Sequence, residues 1–443
     1  MARQSRKKSL PDAPVAAVIE SLTHDGRGVA HVDGKVVFID NALPGEQVEF
    51  VYSQIRRDYA EGHAVKLHSR STDRVEPLCP HYSICGGCSF QHVDAAAQIR
   101  IKQTILQEQF KRIGKIDVPE FWPPLTGPHW GYRRKARMGV KYVAKKGRML
   151  IGFREKRQQY LAEMDNCIIM HPVVGTQLLV LGELIANLSI RDYIPQIEVA
   201  IGENQCILAI RVMKTPSDED LDKLRQFGQQ HPITLCLQPK GPDTIQPLPG
   251  EPEIMPTYAL PDHRIEFRFR PAMFTQVNYE INRQMVNQVL ETLELKKSDH
   301  VLDLFCGLGN FTLPMAKYAG QVVGVEGDQP LIEHARENAR LNALENVEFF
   351  AADLTKSLGE QAWAQRSYDK VLLDPSRAGA AEILPYLKKW RPKLIVYVSC
   401  NPSTLARDAG ILVNDLGFRL VKTGVMDMFP QTAHVESIAL FEP

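Results

Sequence analysis

No stretch of the 443-residue sequence approaches the ~18–20 uninterrupted apolar residues that cross a bilayer as a helix. A membrane-spanning role is therefore not expected. The start, Met1-Ala-Arg-Gln-Ser-Arg-Lys-Lys8, is basic, but no apolar segment follows it. This argues against a secretory leader and makes a cytoplasmic location the default expectation. Eight cysteines are too few to staple a chain of this length with disulfides. Internal repeats and collagen-like glycine periodicity are also missing. Net charge is nearly absent, at +1, which taken alone argues against a nucleic-acid partner. What remains is ordinary: 44% hydrophobic and 24% charged residues suit a globular protein. At roughly 100–200 residues per domain the length suggests two to four domains.

The charge is unevenly spread. Residues 1–157 hold 27 basic against 16 acidic residues, a balance of +11, and residues 158–443 hold 26 against 36, a balance of −10. The densest part, Gly131 to Arg157, has eleven basic residues and one acidic residue, Glu155. Arg133, Arg134, Lys135 and Arg137 are nearly contiguous there, with Tyr132 and Tyr142 interspersed. Cations among aromatics suit RNA, whose phosphates take the charge and whose unpaired bases stack on rings. A solvated face on a two-stranded hairpin is the plainer reading of any one charge run. The imbalance between the halves favours nucleic acid.

Three pieces can be distinguished. The first, 12–70, reads as short strands at Val15–Leu22, Val36–Ile39, Gln47–Val51 and Ala64–Leu67. They are separated by the turns Asp25-Gly-Arg-Gly28, Asp33-Gly34 and Pro44-Gly45. Such spacing suggests a small OB-like barrel, a frequent RNA-binding module. The second, 71–270, is expected to be α+β. It opens with a cysteine cluster and a helix from Asp94, as N-cap, to about Arg112. Phe121–Leu125 reads as a connector, Pro172 to about Leu188 as a helix, and Pro239–Pro256 as a loop. In the third, 271–443, the short apolar runs Val301–Phe305, Val322–Val325, Val371–Leu373 and Leu394–Val398 alternate with helical stretches such as Leu331–Asn342 and Ala380–Lys388. This alternation indicates a doubly wound α/β domain with a mostly parallel sheet.

The first of these runs enters a glycine turn, Asp303-Leu-Phe-Cys-Gly307-Leu-Gly309, where the backbone can approach a ligand closely. A dinucleotide fingerprint needs a third glycine, and position 312 is Thr, so NAD and FAD are disfavoured. Glu326 ends the next strand and could accept hydrogen bonds from ribose hydroxyls. Asp353, in Phe350-Ala-Ala-Asp353, falls at the expected end of a third strand, where an adenine amino group could meet it. Asp-x-x-x-Gly-x-Gly, then Glu, then Asp, at three successive strand ends, resembles the class I S-adenosylmethionine-dependent methyltransferases.

Asp374-Pro-Ser-Arg377 lacks the aromatic residue that follows Pro-Pro in enzymes methylating exocyclic amines. The next strand ends in Ser399-Cys-Asn-Pro402, placing Cys400 over the same crevice. A lone cysteine is more often core, and Cys306 and Cys206 are read that way. A thiolate at Cys400 can act as nucleophile. C5 of uracil needs such help: addition at C6 gives an enolate that makes C5 carbanion-like. After methyl transfer a base must remove the C5 proton so that the thiolate can leave. Of His434 and Glu436, in His434-Val-Glu436, Glu436 is the expected base. Together with Phe274-Thr-Gln-Val-Asn278, these motifs resemble the RNA uracil-C5 methyltransferase family across 274–443. The resemblance implies Cys400 as nucleophile, Glu436 as base, and cofactor contacts from Gln276, Phe305, Asn310, Glu326, Asp353 and Asp374. Asp374 could instead orient the uracil. Ser376 departs from a second proline often seen in related tRNA enzymes.

Cys79-Pro-His-Tyr-Ser-Ile-Cys85-Gly-Gly-Cys88 places three thiols within ten residues, and Cys167 is the best candidate for a fourth. Four thiolates suit zinc or an iron–sulfur cluster, and spacing alone does not decide. The pattern looks like the [4Fe–4S] site of the rRNA branch of the same family, and the first piece looks like its TRAM domain. The tRNA branch lacks both. The resemblance thus covers nearly the whole chain and implies S-adenosylmethionine and a [4Fe–4S] cluster as cofactors and 23S rRNA as partner, with no protein partner. Methylation of tRNA or of another rRNA site is one alternative. The other is a non-catalytic RNA-binding iron–sulfur sensor.

Overall fold

The computed structural model describes residues 10–11, 13–359 and 361–443. The basic start at Met1–Lys8 and the expected domain edge at residue 12 lie outside the described residues. Among the described residues no helix is long and apolar enough to cross a membrane.

The N-terminal piece is a six-stranded sheet of β1 (Val15–Val18), β2 (Ser21–Leu22), β3 (Gly28–Val32), β4 (Lys35–Asp40), β5 (Gln47–Ile55) and β6 (Tyr59–Leu67), ordered β1-β5-β6-β4-β3-β2. It curls on itself: Glu20 N–H, just past β1, donates to the Val29 carbonyl of β3 at 2.8 Å. Alternating residues such as Ile39, Val48 and Phe50 fill the interior. The expected turns are present, with Gly26, Gly34 and Gly45 all at positive φ. β3 is an addition to the sequence reading, and Ile19 and Glu20 interrupt the single strand expected over Val15–Leu22.

Helix α1 (Ala95–Gln109) begins as expected, with the Asp94 carboxylate accepting from the Ala96 and Ala97 N–H groups. It closes in a wider turn over Phe110–Gly114. The expected connector at Phe121–Leu125 lies along the last sheet, bridging Phe121 to Thr423 and Leu125 to Met426.

The central sheet contains β7 (Lys135–Val143), β8 (Arg148–Gly152), β9 (Gln196–Ile201), β10 (Cys206–Arg211), β11 (Thr234–Gln238) and β12 (Gln246–Pro247), ordered β12-β11-β10-β9-β7-β8. The helix expected from Pro172 breaks into Pro172–Gly175 and Leu178–Ala186. A further helix, Asp218–Gln230, starts with a reciprocal cap between Ser217 and Asp220. The hairpin β13 (Thr257–Leu260) and β14 (Ile265–Arg268) is bonded to the C-terminal part: Arg268 N–H donates to Asn338 Oδ1 at 2.9 Å.

The C-terminal sheet has seven strands: β15 (His300–Leu304), β16 (Gln321–Glu326), β17 (Val347–Ala351), β18 (Lys370–Leu373), β19 (Leu394–Ser399), β20 (Arg419–Met426) and β21 (Glu436–Glu442). Their order is β17-β16-β15-β18-β19-β21-β20. The first five in that order are mutually parallel, and β21 runs antiparallel to both neighbours. The central strands are buried on both faces, which explains their uninterrupted apolar sequences. The helix expected at Leu331–Asn342 is present as Gln329–Leu341. That expected at Ala380–Lys388 is turns followed by short pieces at Leu384–Tyr386 and Leu387–Trp390, with Pro385 inside the run. Replacing the helix cap, Asp94→Ala, is expected to cost about 1 kcal/mol of stability. Urea denaturation checks this; an unchanged midpoint would contradict the capping role.

Candidate active site and the surface around it

A cavity of about 500 Å³ opens at the carboxyl ends of β15, β16, β18 and β19. Open parallel sheets place ligands there because the strand-to-helix turns diverge at that edge. The turn after β15 is sharply bent: Phe305, Gly307 and Gly309 have φ of +67°, +54° and +87°. The Glu326 carboxylate, at the end of β16, accepts from Gly307 N–H at 3.2 Å and from Gly327 N–H at 2.7 Å. It thereby closes the turn while lining the cavity.

Of the six residues expected to contact a cofactor, Gln276, Phe305, Asn310, Glu326 and Asp374 line this cavity. Asp353 stands outside it. Two residues beyond β17, exposed, its carboxylate accepts from Thr355 Oγ at 2.6 Å and pairs with Lys356 at 2.8 Å. The Lys356 and Thr355 bonds hold it down to about 2. The Asn310 amide exchanges hydrogen bonds with Asn282 at 2.8 and 3.0 Å, and Tyr258 Oη donates to its oxygen at 3.2 Å. Neither Asn282 nor Tyr258 figured in the sequence reading. Tyr258 lies on a hairpin assigned there to the central piece, and Asn282 on a helix with no motif of its own.

Cys400 and Glu436 are brought together by strand register. β19 and β21 pair antiparallel with Ser399 opposite Ser437. The residue after Ser399 and the residue before Ser437 therefore emerge side by side at the sheet edge. Both line the cavity. Cys400 occupies the bend between β19 and the helix Pro402–Gly410, whose N-cap Asn401 accepts from Ser403 N–H at 3.1 Å. The Asn401 side-chain amide also donates to the Arg377 carbonyl at 3.0 Å, tying the two loops that carry Arg377 and Cys400.

The site is acidic and shielded. Burial pushes Glu436 up to about 8, Asp374 adding to the rise while Arg377 and Lys102 oppose it. Burial raises Asp374 to about 7, with Glu326 adding to it. Burial, Glu436 and Asp374 push the Cys400 thiol up to about 11, against the pull of Arg377. Desolvation thus disfavours the charged form of all three groups, with Arg377 opposing it at Glu436 and Cys400. His434 shares the cavity wall and is pushed down by burial.

The four clustered cysteines are free, with Cys79, Cys85 and Cys167 buried and Cys88 half-buried. Each acts electrostatically on the others: Cys88 feels Cys167, Cys85 and Cys79, and Cys167 feels Cys79. Burial pushes Cys88 up to about 12. Among the described residues, no three cysteine, histidine or carboxylate side chains converge closely enough to grip a metal ion as they stand. The donor chemistry nevertheless fits one: four cysteine thiols neighbour one another, and three of them, Cys88, Cys85 and Cys79, act on the half-buried Lys156 ammonium.

The basic run 131–157 is not one solvated face. Lys135 is turned inward, donating to the Pro271 carbonyl at 2.8 Å and to that of Met273. Arg134 lies over the Tyr279 ring at 4.7 Å, and Lys156 over Tyr82 at 3.8 Å. Arg137, Lys146, Arg148 and Arg157 pair with carboxylates. Arg154, together with the paired Arg157, borders a groove of about 420 Å³ between the barrel turn at Asp25–Arg27 and the cysteine loop at Gly86–Ser89. A second groove of about 360 Å³ continues past Gly86 and Ser89 to Cys400.

A doubly wound sheet with a glycine turn, a carboxylate at the end of the next strand and a curled N-terminal barrel defines the class I methyltransferase fold carrying a TRAM domain. The tRNA (Uracil-5-)-methyltransferase family model matches residues 250–442, and the TRAM domain model matches 15–65. Three relatives are each 23S rRNA (uracil(1939)-C(5))-methyltransferase RlmD. That from Methylococcus capsulatus is 52% identical over 100% of both chains. That from Alkalilimnicola ehrlichii is 49% identical, over 99% of this chain and 98% of its own. That from Alcanivorax borkumensis is 50% identical over the same shares. This chain belongs to that RlmD family of methyltransferases. The fold is shared with the Pyrococcus abyssi tRNA (uracil-54, C5)-methyltransferase in complex with S-adenosyl-L-homocysteine, at a TM-score of 0.72 and 23% identity, over 96% of this chain and 100% of that one.

The glycine turn yields a direct test. A Cβ at Gly309 would lie 3.1 Å from the Leu313 side chain, at a φ of +87°. Gly309→Ala is expected to cost about 1–3 kcal/mol through backbone strain and crowding. Thermal melting checks this, and an unchanged Tm would show that the turn needs no glycine there.

Proposed function

We propose that this protein methylates C5 of a uracil in 23S rRNA, at the uridine-1939 site named for its relatives. The observation that carries the reading is the pairing of Cys400 with Glu436 in a cavity that also presents the glycine turn and Glu326. Bound in that cavity, S-adenosylmethionine supplies the methyl group. Gln276, Phe305, Asn310, Glu326 and Asp374 are read as its contacts, with Asp353 reaching the adenine end from beyond β17. Asp374 alternatively orients the uracil. The buried carboxylates would favour a positively charged sulfonium, and neutralising them lowers the cost of forming a thiolate nearby.

In this reading the Cys400 thiol gives its proton to solvent, Sγ bonds to C6 of the uracil, and the C5–C6 π pair moves to the C4 oxygen, leaving an enolate with nucleophilic C5. Once C5 carries the methyl group, the Glu436 carboxylate takes the C5 proton. The electron pair of that C–H bond re-forms the ring double bond, and the C6–S bond breaks. The target base must leave its stack to bring C6 against Cys400, as in other enzymes acting on bases. The grooves running from the barrel turn past the cysteine loop to Cys400 support an RNA path over all three parts, divided as 12–70, 71–270 and 271–443. The cytoplasm is the matching compartment.

The four cysteines are read as the ligands of a [4Fe–4S] cluster with a structural role, tying the 79–88 loop to Cys167 beside the basic segment. Support comes from the donor set and the neighbouring thiols. Protein purified without oxygen is expected to contain about four iron atoms and four sulfides per chain. Zinc in place of iron, or no metal, would overturn this assignment.

Two substitutions test the chemistry. Cys400→Ala is expected to abolish methyl transfer while leaving S-adenosylhomocysteine binding, measured calorimetrically, within about threefold of wild type. Glu436→Gln is expected to accumulate a protein–RNA adduct on a denaturing gel. Turnover by Cys400→Ala, or no adduct with Glu436→Gln, would refute the assigned roles.

A further inference from the structure

The segment 427–435 joins β20 to β21 and brings Phe429 and His434 into the cavity wall. It is held almost entirely by residues more than 290 positions earlier in the chain. The Gln98 amide donates to Gln431 Oε1 at 3.1 Å and its oxygen accepts from Gln431 N–H at 3.0 Å. The N–H groups of Ser89 and Phe90 both donate to the Gln431 carbonyl, at 3.1 and 3.0 Å. Tyr132 Oη donates to the Pro430 carbonyl at 2.9 Å. Gln431 itself sits at φ +69°, a conformation that persists in a non-glycine residue only when its surroundings enforce it.

At the start of this segment lies a fully buried ion pair. Lys102 Nζ, on helix α1, donates to Asp427 Oδ1 at 2.6 Å and to the Phe429 carbonyl at 3.1 Å, and the Lys102 side chain is 0% exposed. Removing two charges from water is expensive, and an apolar pair would pack here at less cost. The mechanism above leaves this lysine unused. Its neighbourhood gives it a use, because Met426 pairs with Glu436 across β20 and β21. Asp427 and its lysine therefore stand immediately behind the residue read as the base.

We propose that Lys102 is a positioning residue for Glu436: its ammonium group fastens the 427–429 backbone to helix α1 and places a positive charge behind the carboxyl. This rests on the reading of Glu436 as base. The charged and titratable groups facing Glu436 are Asp374 and Arg377 from the loop after β18, Cys400 from the end of β19, His434 from its own segment, and Lys102 from helix α1. Asp374 opposes ionisation of Glu436, and Arg377 and Lys102 favour it. Arg377 is exposed and screened by solvent, whereas Lys102 is enclosed, so its charge acts through protein. Asp427 carries the opposite charge beside the ammonium, so removing both partners leaves the net charge unchanged and tests the tether to the 427–429 backbone.

Lys102→Met alone strands a buried Asp427 and endangers the fold, so the deciding variant is Lys102→Met combined with Asp427→Asn. The full-length enzyme is assayed with a 23S rRNA fragment and S-adenosylmethionine. The double variant, which removes the tether and leaves the net charge unchanged, is expected to lose about tenfold in kcat and to accumulate the Cys400 adduct. Its S-adenosylhomocysteine affinity stays within about twofold of wild type. Wild-type kcat without adduct overturns the proposal. So does loss of ligand binding in step with kcat, or failure to fold, since either assigns the pair a purely structural role. Glu436→Gln run in parallel separates the two levels. An adduct there but not in the double variant refutes only the role of Lys102. No adduct in Glu436→Gln refutes the base itself.

Discussion

The antiparallel pairing of β21 with β19 is the constraint on which the site depends. The sheet is otherwise built from parallel strands, whose carboxyl ends all face one crevice. Reversing β21 brings a strand's beginning, rather than its end, to that edge. With Ser399 opposite Ser437, the residues just beyond the ladder are Cys400 and Glu436. A two-residue slip would separate them, and a one-residue slip would turn one side chain to the wrong face. The register is secured by burial on both sides of β21 and by Ser437 Oγ donating to the Ser399 carbonyl at 3.2 Å.

That geometry gathers like charges where they are hardest to keep. Asp303, Asp374 and Glu436 are all raised chiefly by burial, to about 8, 7 and 8. The basic residues follow a complementary logic. Several cations of the 131–157 run are consumed in internal contacts, while Arg154, Lys156 and Arg157 border the groove between the barrel turn and the cysteine loop. A net charge of +1 is thus the sum of a basic first portion, residues 1–157, and an acidic remainder that includes the C-terminal sheet.

The catalytic fold was readable because central parallel strands are buried on both faces and appear as plain apolar runs. Gly307 and Gly309 were readable because few other residues tolerate their φ values. Elements with weaker signals escaped. β3, Gly-Val-Ala-His-Val, is a short run hemmed in by turns. The helix Asp218–Gln230 shows the core only Leu221, Leu224 and Phe227 among charged residues, although Ser217 and Asp220 at cap spacing could have revealed it. The connector at Phe121–Leu125 became part of the last sheet because its partners lie some 300 residues away. The same distance hid Gln98 and Lys102, whose significance exists only once helix α1 is packed against the 427–435 segment. Asn282 was equally silent, since its side chain meets the Asn310 amide only once its helix is packed.

The central claim, a covalent partnership of Cys400 with a uracil whose C5 proton must be removed, is tested most directly by an RNA substrate carrying 5-fluorouracil at the target position. Fluorine at C5 cannot be taken by a carboxylate base, so the reaction should stop after methyl transfer. Mass spectrometry of the digested complex is predicted to find a methylated fluorouridine nucleotide attached to the peptide containing Cys400. Attachment at another cysteine, or full turnover with no attached nucleotide, would contradict the account.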